Sequence, residues 1–200
     1  MKKMCRLSKE FITDRLVLRS ISSNDREFIF SEFSDATVTR YLFGGEPLTN
    51  IRGADKIVES FVHPDKKGQY RWIIIRKSDK KRMGTCGFHC WNPYEGTIEL
   101  GYDMQKEFWG RGYMQEAVCT IIDFIIKEMN IKTLHAHIYY ENQKSASLVK
   151  KLGFVYKGKV FNYPFRDKDY LHQIYELDCQ VLEDGRDSMK RSTSKELQAH

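Results

Sequence analysis

Phe108-Trp109-Gly110-Arg111-Gly112-Tyr113-Met114-Gln115-Glu116-Ala117 is the stretch that decides the fold. Before it, Thr97-Ile98-Glu99-Leu100-Gly101-Tyr102-Asp103-Met104 reads as a strand. After it, apolar residues at Ala117, Val118, Ile121, Ile122, Ile125 and Met129 advance in steps of one, three and four along one helical face. The order is therefore strand, glycine-bearing turn, helix N-terminus. Such a turn presents unpaired backbone N–H groups at the positive end of a helix dipole, a setting that suits a phosphate. Gly110 and Gly112 allow φ > 0 and a close approach of a ligand to the backbone. Two glycines before a helix also make an ordinary turn, so this feature alone admits both readings. It is neither a P-loop, because no Gly-Lys-Ser/Thr follows, nor a dinucleotide fingerprint, because the third glycine and the later acidic residue are missing.

Outward from this stretch the chain reads as a mixed α/β (α+β) domain with a mainly antiparallel sheet. Leu16 to Ile21 is a first strand, Ser22-Ser23-Asn24-Asp25 supplies helix-cap chemistry, and a helix runs to about Phe33. A short helical piece at Thr37 to Leu42 and a Gly44-Gly45-Glu46-Pro47 loop lead to a helix capped by Thr49 or Asn50 and ending near Phe61. Arg71 to Arg76 and Arg82 to Trp91 form a hairpin, and Asn92 to Gly96 turns into the strand at 97–104. Lys132 to Tyr140 is a strand and Asn142 to Leu152 a helix stopped by Gly153. Phe154 to Val160 and Tyr170 to Leu177 are closing strands, with Pro164 to Asp167 in their turn. Residues 1–10 read as a lead, 11–180 as the domain, and 181–200 as a polar tail.

The 200 residues suffice for one domain with a sizeable core, and 41% hydrophobic with 30% charged residues fits a globular protein. The net charge of +6 is spread among acids rather than clustered, which argues for solubility over direct nucleic-acid binding. No apolar run spans a bilayer and no signal-peptide pattern opens the chain. Cys5, Cys86, Cys90, Cys119 and Cys179 are odd in number and scattered, as free thiols in a reducing cytoplasm would be.

Four stretches, in order, resemble the GNAT-type N-acetyltransferases, and within them the ribosomal-protein alanine acetyltransferases (RimJ/RimL-like). They are Thr13-Asp14-Arg15-Leu16-Val17-Leu18-Arg19, Glu99-Leu100-Gly101-Tyr102, Trp109-Gly110-Arg111-Gly112-Tyr113 with Glu116-Ala117, and Asn142, Ser145, Leu148, Lys151 and Gly153-Phe154. The resemblance implies a twisted sheet with a splayed central strand and acetyl-CoA as cosubstrate. It also implies direct attack by a primary amine in a ternary complex. Backbone amides of Trp109, Gly110, Arg111, Gly112, Tyr113 and Met114 would hold the pyrophosphate. Main chain at Tyr102, Asp103 and Met104 would pair with the pantetheine arm like an added strand, leaving donors to polarise the thioester carbonyl. Asn142 and Ser145 would lie beside that arm. Met114 is bulkier than the small residue many relatives carry, and is expected to narrow the phosphate site. Val149 stands where many relatives have a tyrosine that protonates the departing thiolate.

The reaction needs a neutral amine, an oxyanion stabiliser and a proton for the thiolate. Ser145 is the first candidate for the proton donor, against a purely structural place at the helix start. Asn142 reads as a helix cap with ligand contact as a second role. Glu99, pointing into the cleft if Leu100 points to the core, is the candidate base, against a cross-strand-paired carboxylate. Tyr102 would close the pantetheine tunnel or pack. His135 and His137 share a strand face with Tyr139 but lack a further metal ligand, and strand alternation turns His89 away from Cys86 and Cys90, so no metal is expected. His172 is a further proton-carrier candidate. The acceptor is open: a protein N-terminus such as that of a ribosomal protein, or a small amine. A non-catalytic acyl-CoA-binding module is the alternative, and monomer and homodimer are equally compatible with the chain.

Overall fold

The computed structural model describes residues 9–42, 46–63, 69–165 and 168–182. Strands β1 (Phe11–Ile12) and β2 (Leu16–Ser20) lead through a 3-10 turn at Ser23–Asp25 into helices α1 (Arg26–Ser34), α2 (Ala36–Thr39) and α3 (Ile51–Val62). A meander follows: β3 (Tyr70–Arg76), β4 (Arg82–Asn92) and β5 (Thr97–Met104). Helix α4 (Tyr113–Met129), β6 (Thr133–Tyr139), α5 (Gln143–Lys151), β7 (Val155–Phe165) and β8 (Lys168–Asp178) follow. One sheet of order β1-β2-β3-β4-β5-β6-β8-β7 joins all eight strands. Every neighbouring pair is antiparallel except β5 and β6, which are parallel and linked by α4.

The sheet is covered on both faces, and β3 explains why. Its run Trp72-Ile73-Ile74 alternates sides: Trp72 and Ile74 join α4 in the larger core with Leu16, Leu18, Phe88, Leu100, Ile121 and Ile125, while Ile73 joins α1 and α3 in a smaller core with Phe28, Ile29, Ala54 and Val58. Each Val, Leu, Ile or Phe among them taken fully out of water contributes about 1.5–3 kcal/mol. The cap read at residues 22–25 is present as an acid-centred turn. The Asp25 carboxylate, fully buried, accepts from the Ser22 N–H and hydroxyl and from both Arg19 Nη atoms at 2.7 Å. Burial pushes the Asp25 carboxyl up, but the Arg19 and Ser22 donors outweigh it and hold it below its usual range.

Element bounds differ from the sequence reading in a few places. The closing hairpin is longer, because Pro164 and Phe165 remain in β7 and pair with Asp169 and Lys168. Asn50 occupies the N-cap position of α3 without capping it; its side-chain amide donates to Thr49 Oγ1 at 3.5 Å instead. The lead is tied down at Lys9, whose carbonyl accepts from Trp72 Nε1 at 2.8 Å. A helical turn at 179–182 follows β8, and Leu182 packs on the main core. The rest of the lead, Gly44-Gly45, Arg166-Asp167 and the tail from 183 onward lie outside the described residues.

Candidate functional site

The sheet opens where β5 and β6 part. They pair only from Thr97 with Thr133 to Glu99 with His135. Beyond that, β5 stays with β4 as far as Met104, and β6 stays with β8 as far as Tyr139. The result is a wedge with one wall formed by the main chain of 100–104, an unpaired strand edge able to accept an extended ligand arm. The splayed central strand expected from the sequence is therefore present.

The glycine turn lies at the chain's exit from that wall. Gly110 (φ 73°) and Gly112 (φ 77°) are both left-handed, and Gly112 is the N-cap of α4. A Cβ added at Gly110 would meet nothing within 4 Å, so the turn faces open space. The N–H groups of Gly110, Arg111 and Gly112 have no acceptor among the described residues, and those of Tyr113, Met114 and Gln115 are the unpaired first-turn donors of α4. Trp109 departs from the expectation: its N–H donates to the Lys106 carbonyl at 3.1 Å, so it is not available to a phosphate. Its indole Nε1 donates to the Met104 carbonyl at 2.6 Å, and Lys144 lies over its ring at 4.5 Å; the residue fixes the turn to the end of β5. Met114 is half-buried, and its side chain packs against the main core.

The brace of this turn was missed from the sequence. Glu116, in the first turn of α4, accepts from Thr13 Oγ1 (2.5 Å), Arg15 N–H (3.0 Å) and Arg15 Nε (2.6 Å). Arg15 Nη1 donates to the Arg111 carbonyl at 3.0 Å, and its guanidinium lies over the Tyr113 ring at 4.5 Å. Burial raises the Glu116 carboxyl, but the donors from Thr13 and Arg15 hold it below its ordinary value. The signal was visible only as two matching stretches, Thr13–Arg19 and Glu116-Ala117, with nothing in either to say that they touch.

Two of the candidate catalytic residues meet. Tyr102 Oη and Ser145 Oγ are 2.6 Å apart. Burial pushes the Tyr102 phenol up to about 12, only partly offset by Ser145, so it stays a neutral donor. Asn142 caps α5, its Oδ1 accepting from the Ser145 N–H at 3.2 Å. Val149 faces the core and is fully buried. The hydroxyl at this end of α5 is therefore that of Ser145, on the first turn.

Glu99 lies on the other face of β5, separate from the Tyr102–Ser145 pair. Its Oε1 is 3.5 Å from both His89 Nε2 and His137 Nδ1. Burial pushes Glu99 up to about 7, and burial pushes His89 and His137 down to about 4, helped by Arg71 for His89 and by His135 for His137. His135 stacks on His137 with ring centroids 6.4 Å apart. His172 sits instead among Tyr139 and Tyr163, with its Nδ1 2.8 Å from the Tyr170 carbonyl. Alternation fails at Cys90, whose φ of 51° accompanies a register shift between His89 and Asn92. Its sulfur consequently falls with His89 and Glu99, against the expectation that His89 faces away from both cysteines. Cys86 does point into the core, where burial pushes its thiol up to about 12.

Beneath this face lies a buried acid pair that the sequence did not suggest. Asp103 accepts from Arg71 Nη2 and, at 2.6 Å, from the Thr85 hydroxyl, while Arg71 Nε donates to the same hydroxyl at 2.7 Å. The Asp103 side chain thus points away from the wedge, so only its backbone is left to meet a ligand. Asp103 Oδ1 and both Glu32 oxygens are buried without a donor. Burial first, and the neighbouring Asp103 carboxylate second, hold Glu32 far above the usual carboxyl range, so it keeps its proton and can donate it to Asp103. Because the folded pKa exceeds the unfolded one, the folded state loses stability as pH rises from the ordinary carboxyl range towards the folded value. Glu32→Gln keeps a donor without the ionisation. Between about pH 6 and about pH 9 its melting temperature is expected to fall less than that of the wild type; parallel curves would show Glu32 to be ordinary.

A splayed sheet edge beside a turn of free amides is an arrangement able to receive an extended arm that carries a phosphate. Comparison with known proteins agrees. The family model for the acetyltransferase (GNAT) domain matches residues 15–155. The uncharacterized N-acetyltransferase YoaA of Bacillus subtilis (strain 168) is 32% identical over 157 residues, covering 78% of this chain and 88% of YoaA. Among solved structures, spermidine N-acetyltransferase from Vibrio cholerae, in complex with CoA and spermine, superposes with a TM-score of 0.72 at 19% identity, over 84% of this chain and 98% of that one. The ribosomal L7/L12 α-N-protein acetyltransferase RimL, in complex with coenzyme A, gives 0.75 at 15% identity, over 85% and 98%. The chain belongs to the GNAT acetyltransferase family and is an acetyltransferase enzyme. Among the described residues no helix is long and apolar enough to cross a membrane.

Proposed function

We propose that the protein transfers the acetyl group of acetyl-CoA to a single primary amine, by direct attack in a ternary complex in the cytoplasm. The observation that carries the reading is the wedge between β5 and β6 with the unpaired amides of Gly110 to Gln115 at its mouth. Those amides hold the diphosphate, and the edge of 100–104 receives the pantetheine arm. The Tyr102–Ser145 hydroxyl pair stands at the thiol and returns its proton, the role that Val149 cannot fill. Glu99, on the opposite face, takes the proton of the attacking amine.

The charge around Glu99 narrows the acceptor. Arg71 compensates Asp103, Glu32 is neutral, and His89 and His137 are uncharged at neutral pH. This setting suits a lone amine, such as the N-terminus of a ribosomal or other protein, better than a polycation. The test is acceptor-dependent release of CoA, followed by chromatography, across N-terminal peptides, small monoamines and spermidine. Peptides and monoamines are expected to exceed spermidine. A preference for spermidine would overturn the acceptor reading, and binding of CoA without turnover would favour the non-catalytic module.

Ser145→Ala and Tyr102→Phe are each expected to lower kcat roughly 10- to 100-fold while shifting CoA affinity little. The double variant should lose about as much as either alone, because one hydrogen bond joins the two hydroxyls. Additive losses would show that they act separately.

A further inference from the structure

His89, Cys90 and Glu99 bring a nitrogen, a sulfur and an oxygen ligand atom within 4.8 Å of one another. The backbone makes this cluster in two steps. The β4–β5 register sets His89 opposite Glu99, and the left-handed Cys90 then turns its side chain to the same side instead of the opposite one. From across the wedge, His137 on β6 brings a further imidazole nitrogen 3.5 Å from the Glu99 oxygen that is itself 3.5 Å from His89 Nε2, while standing outside the group whose atoms all lie within 4.8 Å of one another.

We propose that His89, Cys90, Glu99 and His137 form a binding site for a borderline-soft divalent ion, Zn²⁺, on the acceptor side of the wedge. In a tetrahedral zinc site, bonds of about 2.0–2.3 Å separate neighbouring ligand atoms by about 3.3–3.7 Å. Both 3.5 Å separations already match such an edge. Changes of rotamer at Cys90, an exposed residue, and at His137 close the remaining distances. Two imidazoles, a thiolate and a carboxylate suit zinc and disfavour magnesium and calcium, which take oxygen ligands. His135 stays outside the set; its Nε2 faces Glu176 at 4.0 Å. A bound ion would occupy the Glu99 oxygen and block its use as a base, making zinc a reversible inhibitor. That consequence rests on the function proposed above; the binding does not.

The test uses the full chain, free of any histidine tag, stripped with chelator and kept reduced with a phosphine. Titration with Co²⁺ is expected to raise a thiolate-to-cobalt charge-transfer band and the intense d–d bands of a tetrahedral site, saturating at one equivalent and bleached by Zn²⁺. Cys90→Ser should abolish the charge-transfer band and weaken zinc binding at least about tenfold; His137→Gln should keep the band and weaken binding. Absence of the band, or its persistence in Cys90→Ser, would overturn the proposal. Zinc that binds as expected yet leaves acetyl transfer untouched supports the site and removes Glu99 from the chemistry.

Discussion

Glu99→Gln is expected to lower kcat for acetyl transfer roughly 10²- to 10³-fold, the range a positioned general base supplies. Glutamine has the same shape and keeps an oxygen on the cleft face of β5, so CoA affinity and the melting temperature should stay close to the wild type. What is lost is a proton acceptor. An ammonium cannot attack a thioester, and neither neighbour is placed to substitute, since His89 and His137 address the carboxylate itself at 3.5 Å. The defect should shrink for acceptors of low basicity and at high pH, where the amine arrives already neutral. That rescue separates loss of a base from loss of packing. A variant within about threefold of the wild type on a good acceptor would assign Glu99 to cross-strand pairing alone.

Gly112→Asp is expected to weaken CoA binding roughly 100-fold while leaving the fold intact. The glycine sits at φ 77°, where a side chain costs about 1–2 kcal/mol of folding stability, the same in the free and the bound protein. A carboxylate at a helix N-terminus favours the empty state and repels the diphosphate, adding a penalty of about 1 kcal/mol. Juxtaposing like charges at the site costs several kcal/mol, which supplies the rest of the roughly 2.7 kcal/mol that a 100-fold loss requires. The new Cβ would also lie 3.4 Å from Arg15 Nη2, within reach of the guanidinium that braces the turn. Gly112→Ala carries the strain without the charge and should lose about 1–2 kcal/mol of stability while CoA affinity falls less than in Gly112→Asp. Isothermal titration reads both, and an unchanged dissociation constant in Gly112→Asp would place the diphosphate elsewhere.

Much of this was legible in the sequence because its signals are local. The helical stripe of α4, the glycines before it and the alternation of β5 each occupy a short window, and the window fixes the element. Ser145 could be placed beside the thioester arm only through the resemblance. That its partner is Tyr102, 43 residues earlier, follows from the stacking of α5 on the sheet. Arg15 and Glu116, 101 residues apart, meet for the same kind of reason. Glu32 was unreadable: on a nine-residue helix an acid is ordinarily solvated, and only the packing of α1 over Asp103 makes it otherwise. Cys90 illustrates the opposite failure. A regular rule, strand alternation, was applied where a single left-handed residue suspends it.

The parallel contact between β5 and β6, limited to the rungs from Thr97 to Glu99, has a mechanical meaning. Strands β1 to β5 pair among themselves and so do β6 to β8, so among the described residues this seam is the one ladder that joins the two sets. The two halves are sewn together by that short seam and by the helices laid over it. Anything threaded into the gap therefore acts as a splint. Amide exchange at Thr133 to His135 should slow when CoA is added, more than exchange in β3, whose protection comes from its own half.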